Sequence, residues 1–591
     1  MTVSEVEVAV GAAGVLLAFN EAGVLDLADV HVAERVCELG REPDERVALA
    51  VALLVRALRG GSVCVDLATI AEAVGPDALP WPEPVRWQTA VRASVLLRDP
   101  PVLRLYDERL LYLDRYWREE KQVCDDLLAL LAARPATTAP VPGRLFPPDY
   151  QEQRKAAEIA LSQGVTVLTG GPGTGKTTTV ARLLALVAEQ AELAGSARPR
   201  IALAAPTGKA AARLAEAVQL EVARLDAADR ARLDGLEAMT LHRLLGRRPG
   251  SSSRFRHDRA NRLPHDVIVV DETSMVSLTM MARLLEAVRP GTRLVLVGDA
   301  DQLASVEAGA VLADLVDGLS ARADVRVAAL HTSHRFGKSI GALAEAIRVG
   351  DTEAALRLLR SGDEHIEFVE AEDPTDRLRS VLMPHALRLR QAALLGAVDE
   401  AVAALDEHRL LCAHRKGPFG VRHWNRQAEI WLSEETGQPS WSEWYPGRPL
   451  LVTANDYGLR VYNGDTGVTV AGPEGLRAVI ASAAGPLDFS TSRLSDVETM
   501  HAMTIHKSQG SQAAEVTVLM PPEDSRLLTR ELFYTAVTRA KAKVRVVGSE
   551  ASVRAAIGRR ALRASGLRQR LQMSDAAERG AQVRNRGRSH T

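Results

Sequence analysis

The sequence has little of what marks secreted, disulfide-bonded or membrane-spanning proteins. Only four of its 591 residues are cysteines. No two cysteines form a C-x-x-C pair, so neither a disulfide framework nor a zinc site is indicated. No apolar run approaches the roughly 18–20 residues that span a bilayer, and the acidic N-terminus lacks the basic segment of a signal peptide. The sequence therefore predicts a cytoplasmic protein that does not cross a membrane.

An excess of charge of either sign is also absent, since 73 basic residues stand against 75 acidic ones. The distribution is uneven, however. Residues 1–50 hold ten acids and three arginines, whereas residues 551–591 hold ten arginines and two acids. A basic end of this kind either binds phosphate or is a solvated tail, and both interpretations stay open. With 46% hydrophobic and 25% charged residues, the composition is that of a globular chain.

Hydrophobic patterning divides the chain into four parts. Residues 1–143 show helical apolar spacing with few strand signals and end in a Pro- and Thr-rich linker. Residues 144–345 and 346–550 alternate short apolar runs with helical stretches, which indicates two α/β domains with parallel sheets. Residues of about 440–500 are rich in Gly, Pro and Trp and predict a small β module inserted in the second of these domains. Residues 551–591 are predicted to be a helix that fades into a basic, mobile tail.

The sharpest motif is a glycine-rich loop that follows an apolar strand and precedes a helical stretch. It reads Gly170-Gly171-Pro172-Gly173-Thr174-Gly175-Lys176-Thr177. The spacing fits G-x-x-x-x-G-K-[ST], in which backbone N–H groups and a helix N-terminus cradle phosphate. Lys176 is predicted to reach the β- and γ-phosphates of ATP, and the Thr177 hydroxyl is predicted to hold Mg²⁺. The motif predicts a nucleotide-binding P-loop.

Two later apolar strands end in side chains that suit nucleotide hydrolysis. Val267–Val270 is followed by Asp271, predicted to hold Mg²⁺, and by Glu272, predicted to act as general base on the attacking water. Leu294–Val297 leads to Gln302, which is placed to sense the γ-phosphate. Each pattern alone could be an ordinary loop start. Downstream of a P-loop, the two together indicate an ATPase.

Two arginines are candidates for stabilising the transition state of phosphoryl transfer. Arg335 lies in Ser333-His334-Arg335-Phe336-Gly337, and Arg539 lies in Tyr534-Thr535-Ala536-Val537-Thr538-Arg539-Ala540. An arginine that arrives from a second domain accelerates hydrolysis by about 10³–10⁵. On composition alone, each could equally form a surface ion pair.

These motifs, in this order, resemble those of superfamily 1 DNA helicases, and most closely the RecD subunits of the RecBCD enzyme, exonuclease V. The further segments that carry the resemblance are Ala205–Leu214 (motif Ia), Thr240–Gly246, Asp271–Met275 (motif II), Gly298–Val306 (motif III), Gly417–Val421, Asn455–Asp456 with Asn463–Gly467 (the inserted β module) and Thr504–Ser511 (motif V). The resemblance covers nearly the whole chain. It is loosest in the N-terminal region, at Gly61–Leu67 and Leu111–Arg115.

The resemblance implies an α/β fold of two RecA-like P-loop motor domains with ATP between them. It further implies a helical N-terminal domain that docks on a partner subunit and an SH3-like β insertion in the second motor domain. The implied function is that of a 5′→3′ DNA helicase subunit, which unwinds double-stranded DNA ends with RecB- and RecC-like subunits in double-strand break repair. The implied cofactors are ATP and Mg²⁺, and nuclease activity is expected only from the complex.

The resemblance also implies further site residues. Gln153 matches a glutamine that reads adenine, and Thr178 and Gly510 complete the predicted nucleotide contacts. Contacts to single-stranded DNA are implied for Pro206, Thr207, Lys209, Thr240, His242, Thr504, His506 and Lys507. Hydroxyls, backbone amides and a few cations suit a strand that is gripped without sequence preference. His242 could equally be a core histidine.

Two other interpretations of the whole chain stay open. The first is a stand-alone helicase of the same branch, acting without partners. The second is a non-motor P-loop switch or scaffold, against which the segments around Thr504 and Arg539 argue. A nuclease site built from Asp114 with Glu119-Glu120-Lys121 is disfavoured, because that segment is predicted to be an exposed helix face.

Overall fold

The computed structural model describes residues 8–74, 78–133, 141–248, 254–332, 338–371, 373–438, 442–456, 458–482, 485–561 and 563–573. It confirms the predicted class, a mixed α/β chain with two parallel sheets and a largely helical N-terminal region. Within these residues, no helix is both long and apolar enough to cross a bilayer.

Residues 8–133, here called the N-terminal unit, pack helices around a small antiparallel sheet. The elements are α1 (Gly14–Glu21), α2 (Leu27–Gly40), α3 (Glu45–Arg59), β1 (Val65–Asp66), α4 (Ile70–Val74), α5 (Pro84–Ala93), β2 (Leu103–Tyr106), β3 (Leu110–Leu113) and α6 (Asp114–Ala132). The strands lie in the order β1-β3-β2. The prediction of a helical region with few strands is confirmed, since the three strands have only two to four residues each. Its hairpin turns at Asp107 and Glu108, which both have positive φ, so the turn lacks the glycine that normally reveals one.

Residues 141–332, here called the first α/β domain, form a six-stranded parallel sheet in the order β6-β5-β7-β8-β4-β9. The elements are α7 (Gln151–Ser162), β4 (Val165–Gly170), α8 (Lys176–Leu193), β5 (Ile201–Ala205), α9 (Gly208–Ala223), α10 (Ala227–Arg232), β6 (Ala238–Thr240), α11 (Leu241–Leu245), β7 (Val267–Val270), α12 (Leu278–Ala287), β8 (Arg293–Gly298), α13 (Val311–Ser320) and β9 (Ala328–Leu330). Every residue of β7 is buried, as expected for a central strand covered by helices on both faces.

Residues 338–558, here called the second α/β domain, form a five-stranded parallel sheet in the order β10-β19-β18-β11-β17. The elements are α14 (Lys338–Val349), α15 (Thr352–Leu359), β10 (Ile366–Val369), α16 (Thr375–Leu394), α17 (Val398–Glu407), β11 (His408–Cys412), α18 (Val421–Thr436), β12 (Pro449–Val452), β13 (Thr466–Gly472), β14 (Gly475–Ile480), β15 (Leu487–Ser490), β16 (Val497–Thr499), β17 (Ala502–Thr504), β18 (Ala513–Leu519), α19 (Arg530–Val537), β19 (Ala540–Val547) and α20 (Glu550–Gly558). The predicted boundary at 345/346 falls inside α14, whose Ile340 and Ile347 lie in the core of this domain. The domain boundaries stay predictions.

A separate antiparallel sheet stands where the sequence predicts a β insertion. Its strands lie in the order β15-β14-β13-β12-β16, between α18 and β17. Leu450, Val452, Ala478 and Ile480 form its buried core. Its likeness to an SH3 module stays a prediction.

The C-terminal segment departs from the predicted basic tail. Residues 563–573 pack on the N-terminal unit and the first α/β domain, with Leu567 and Leu571 fully buried. The prediction of a mobile tail after α20 was therefore wrong for these residues, because its buried partners lie far away in the sequence. Residues 574–591 lie outside the described residues.

The acidic pair on α6 is buried rather than exposed, which corrects the predicted helix face. Glu120 is inaccessible and accepts hydrogen bonds from the Tyr112 hydroxyl at 3.1 Å and from Arg570 Nε at 2.8 Å. Glu119 accepts one from Thr279 Oγ1 at 2.6 Å. Both carboxylates thus join the N-terminal unit to other parts of the chain, which further disfavours a nuclease site here.

Candidate ATP and DNA site

The glycine-rich loop joins β4 to α8, in the strand–loop–helix context that the sequence predicts for a phosphate-binding loop. Gly173 and Gly175 have φ of 81° and 88°, a conformation that only glycine adopts without strain. The Thr174 hydroxyl donates to the Gly171 carbonyl at 2.9 Å and holds the turn closed. Thr177 and Thr178 lie half-exposed on the first turn of α8, where the positive end of the helix favours an anion.

Lys176 and Gln153 both contact this loop. Lys176 Nζ donates to the carbonyls of Gly170 and Gly171, at 2.6 and 2.9 Å. The Gln153 amide is buried and donates to the Thr174 carbonyl at 3.1 Å. Gln153 therefore supports the loop from behind in this structure, and its predicted contact with adenine stays a prediction.

Asp271 and Glu272 follow β7, two strands away from β4 in the sheet. Burial, and then the neighbouring Glu272 carboxylate, raise the pKa of Asp271 to about 6. Lys176 is the nearby cation that opposes this shift. Glu272 has a φ of 49°, a strained left-handed conformation of the kind found at functional sites. Asp271 thus lies within the electrostatic reach of the P-loop lysine, and the roles of the two carboxylates stay predictions.

Gln302 lies in the loop after β8, directly before Leu303, which contacts the second α/β domain. It is buried, and its Nε2 donates to Asp299 Oδ2 at 3.0 Å. Burial and the Asp299 charge raise the pKa of Asp301 to about 6, while Arg348, 3.6 Å away, opposes that shift. The predicted sensor is therefore held by a carboxylate in this structure.

The second α/β domain reaches the site through α19 and the turn after β17. Thr535 Oγ1 accepts a hydrogen bond from the Leu303 amide at 3.0 Å, and Gln509 Nε2 donates to the Leu303 carbonyl at 2.7 Å. Gly510, with a φ of 69°, sits directly beside this contact. Both backbone groups of Leu303 are thus bound by the opposite domain.

The two candidate arginines have different outcomes. Arg539 is buried, with Nε donating to the Thr535 carbonyl at 3.0 Å and Nη2 donating to Thr538 Oγ1 at 3.2 Å. These two contacts bind it to the C-terminal end of α19, which it directly follows, and its role in hydrolysis stays a prediction. Arg335 lies outside the described residues.

The predicted DNA contacts of the first α/β domain gather at the carboxyl ends of two neighbouring strands. Pro206 and Thr207 follow β5, and Thr240 ends β6, its paired neighbour. The two threonine side chains cap α9 and α11. His242 lies half-buried, with its ring centroid 5.6 Å from that of Phe255 in an edge-to-face arrangement, and burial lowers its pKa. The structure brings these four residues together at one sheet edge.

Lys209 connects this edge to the β insertion. Its ammonium donates to the Gly464 carbonyl at 2.8 Å, and burial lowers its pKa to about 7. A Cβ atom at Gly208, the first residue of α9, would lie 2.3 Å from the Tyr462 ring of the β insertion. The insertion and α9 are therefore in direct contact. The predicted DNA contact is therefore also an interdomain contact.

The predicted DNA contacts of the second α/β domain lie at the end of β17, the edge strand of that sheet. Thr504 Oγ1 accepts from the Lys507 amide at 3.3 Å. Lys507 Nζ lies 3.8 Å from a Glu498 oxygen. Burial, and then the charge of Arg563, lower the pKa of His506. Both sheets therefore present their candidate DNA residues at the carboxyl end of an edge strand.

Magnesium is the metal that this donor set suits. Thr177 and Asp271 offer a hydroxyl and a carboxylate, and Mg²⁺ prefers oxygen ligands and retains several waters. The paired charges of Asp271 and Glu272, opposed by one lysine, would be relieved by a divalent cation. Across the part of the chain that the structure describes, no larger group of His, Cys, Asp or Glu side chains could hold a metal.

Sequence reasoning missed Asp299 and Tyr534 as site residues. The Tyr534 hydroxyl donates to Asp299 Oδ2 at 3.1 Å, and both side chains are buried. Each lies in a segment quoted for another residue, Asp299 three positions before Gln302 and Tyr534 five positions before Arg539. The only available signal was this adjacency, because the contact joins residues 235 positions apart.

Family models match three parts of the chain. They are described as "RecBCD enzyme subunit RecD, N-terminal domain" over residues 21–110, "AAA domain" over residues 153–308 and "UvrD-like helicase C-terminal domain" over residues 499–547. The first lies in the N-terminal unit, and the other two contain the P-loop and α19.

Relatives match over much longer stretches. The RecBCD enzyme subunit RecD of Mycobacterium tuberculosis H37Rv is 76% identical over 97% of this chain and 99% of its own length. The subunit of the same name from Haemophilus influenzae is 31% identical over 81% of this chain and 84% of its own. The ATP-dependent RecD2 DNA helicase of Deinococcus radiodurans is 31% identical over 76% of this chain but only 57% of its own.

Proposed function

Since the chain belongs to the RecD family of RecBCD enzyme subunits and is a DNA helicase that hydrolyses ATP, we propose that it is the 5′→3′ motor of a heterotrimer with RecB- and RecC-like subunits. Its substrates in this proposal are single-stranded DNA and the ends of double-stranded DNA, and its setting is double-strand break repair in the cytoplasm. The observation that carries the proposal is the meeting of the P-loop domain with α19 and the β17 turn of the second α/β domain.

The proposed ATP site uses residues of the first α/β domain for phosphate and water. Lys176 would leave the loop carbonyls and bind the β- and γ-phosphates, while Thr177 and Asp271 would hold Mg²⁺, which neutralises phosphate charge when bound. Glu272 would take a proton from the attacking water. Gln302 would orient that water or the γ-phosphate, and Arg539 would stabilise the transition state once the domains close.

The proposed DNA path crosses both domains along the ends of β5, β6 and β17. Threonine hydroxyls, backbone amides and Lys209 and Lys507 would bind phosphates without reading bases. Because the two halves of the path sit on different α/β domains, a change in their separation during hydrolysis would move one grip relative to the other. This is how ATP turnover would become movement along a strand.

The subunit interpretation is favoured over a stand-alone helicase by sequence identity, which is 76% to one RecD subunit and 31% to the RecD2 helicase. The chain matches nearly the whole of one RecD subunit and most of another, but little more than half of the RecD2 helicase. The switch interpretation is disfavoured because both sheets present candidate DNA residues at strand ends, which a nucleotide switch does not need.

Co-expression with the RecB- and RecC-like proteins of the same genome tests the partner proposal. A tag on this chain should recover all three in equal amounts, and the Lys176→Gln variant should recover them equally well, since it leaves the N-terminal unit unchanged. Recovery of this chain alone from cells that contain the other two would contradict the proposal.

ATP turnover measured with and without Mg²⁺ tests the proposed metal.

A further inference from the structure

Tyr534 stands at the point where the second α/β domain touches both phosphate-handling segments of the first. It lies on α19, is only 4% exposed, and donates its hydroxyl to Asp299 Oδ2 at 3.1 Å. The same hydroxyl lies 3.0 Å from where a Cβ on Gly171 would be. One oxygen atom therefore contacts the P-loop and the loop after β8 at once.

The carboxylate oxygen that Tyr534 contacts is shared. Asp299 Oδ2 also accepts Gln302 Nε2 at 3.0 Å, and Oδ1 accepts the Asp301 amide at 3.1 Å. Asp299 is 4% exposed, so each donor compensates for lost water, and loss of a donor is costly. With Tyr534 in place, the oxygen keeps a donor even when the Gln302 amide turns away.

The surrounding contacts fix Tyr534 against this oxygen. Thr535, the next residue, accepts the Leu303 amide, and Gln509 donates to the Leu303 carbonyl. The Leu303 side chain is buried in the core of the second α/β domain. The segment that carries Asp299 and Gln302 is thus bound to the opposite domain at its end, and separation of the domains would withdraw Tyr534 from Asp299.

We propose that Tyr534 is a positioning residue: where the two α/β domains meet, its hydroxyl supplies Asp299 Oδ2 with a second donor, so that Gln302, which is bonded to the same oxygen in this structure, can turn to the γ-phosphate without leaving the carboxylate unpaired. When the domains separate, Asp299 retains Gln302 as its donor and the sensor is withdrawn. This inference rests on the proposed function, because it assigns a partner to the Gln302 sensor. It makes domain closure, and not nucleotide binding alone, the condition for hydrolysis.

The test is the Tyr534→Phe variant of the full chain, assayed for ATP turnover with single-stranded DNA. The variant keeps the ring and removes only the hydroxyl. We expect kcat to fall about tenfold, the usual scale for losing a hydrogen bond to a charged group, while the KM for ATP changes less than about twofold. Tyr112→Phe is the matched control, since it removes a buried hydroxyl from the Glu120 carboxylate at the same 3.1 Å, away from the site. Its kcat should equal that of the wild type.

A double-mutant cycle with Gln302→Ala identifies the route. If Tyr534 acts through Gln302, then Tyr534→Phe should lower kcat less than about twofold in the Gln302→Ala background. Effects that multiply independently would overturn the inference, as would a wild-type kcat in Tyr534→Phe. A fall in thermal stability well beyond that of Tyr112→Phe, with the same fractional loss of kcat in both backgrounds, would show a structural role and also overturn it. Lys176→Gln in the same assay distinguishes failure of the proposed ATP site from failure of the Tyr534 inference. Turnover retained in that variant would refute the ATP site itself.

Discussion

The two α/β domains contribute to the site in different ways. The first contributes Lys176, Asp271 and Gln302, the candidate residues for ATP hydrolysis, which follow β4, β7 and β8 of the same sheet. The second contributes through side chains of α19 and the turn after β17, which bind the backbone of Leu303. We therefore expect most of the nucleotide contacts to come from the first domain, and hydrolysis to depend on contact between the domains. Binding and turnover should therefore be separable by mutation.

The largest expected effect comes from Lys176→Gln, which removes the cation of the first domain. ATP turnover should fall below detection, because the lysine bridges phosphates whose charge grows during transfer. The fold should persist, since Lys176 bonds only to the loop carbonyls among the contacts described for it. Turnover near the wild-type rate would refute the P-loop assignment. Circular dichroism on the same sample controls for folding.

Arg539→Ala probes the second domain and should lose turnover while it keeps nucleotide binding. We expect kcat to fall by about 10³, the lower end of the range for an arginine finger, while ATP binding, followed by equilibrium fluorescence of a nucleotide analogue, stays near the wild type. Lost nucleotide binding with unchanged turnover at saturation would contradict this role. Together with Lys176→Gln, the variant separates binding in one domain from catalysis by the other.

The same contrast explains what the sequence could predict. The P-loop and Asp271 were predicted because each is a local pattern in which an apolar strand is followed at once by polar residues. The contact of Tyr534 with Asp299 and that of Lys209 with Gly464 join residues 235 and 255 positions apart, and no local pattern announces them. The burial of Leu567 and Leu571 was missed for the same reason, since this segment packs on distant parts of the chain, with Arg570 paired to Glu120, 450 positions earlier.

Lys209 should show a smaller, pH-dependent effect on DNA binding. Its ammonium has a pKa of about 7 because of burial, so it is charged below that pH and largely neutral above it. The affinity lost in Lys209→Ala should therefore be greater at pH 6 than at pH 8, by a few-fold at low salt. Fluorescence anisotropy with single-stranded DNA measures it. Lys121→Ala, on the N-terminal unit, is the control, and an equal loss at both pH values would argue against a phosphate contact by Lys209.

The smallest expected effect is on stability: without Mg²⁺, Asp271→Asn should raise Tm by a few degrees. The pKa of Asp271 is raised from 3.8 to about 6 in the folded chain, so ionising it disfavours the folded state. The advantage of the Asn variant should be complete above pH 6 and vanish as the pH falls towards 4. ATP turnover should be lost in the same variant. A variant less stable than the wild type at pH 7.5 would contradict the unfavourable burial of the Asp271 charge beside that of Glu272.

Unwinding by the isolated chain, on duplexes with a single-stranded tail at either the 5′ or the 3′ end, tests the central claim most directly. With ATP and Mg²⁺, the account predicts strand separation confined to the 5′-tailed duplex and ATP turnover that rises when DNA is added. Unwinding confined to the 3′-tailed duplex would contradict the proposed polarity. ATP turnover indifferent to DNA, with neither duplex unwound, would contradict the motor itself.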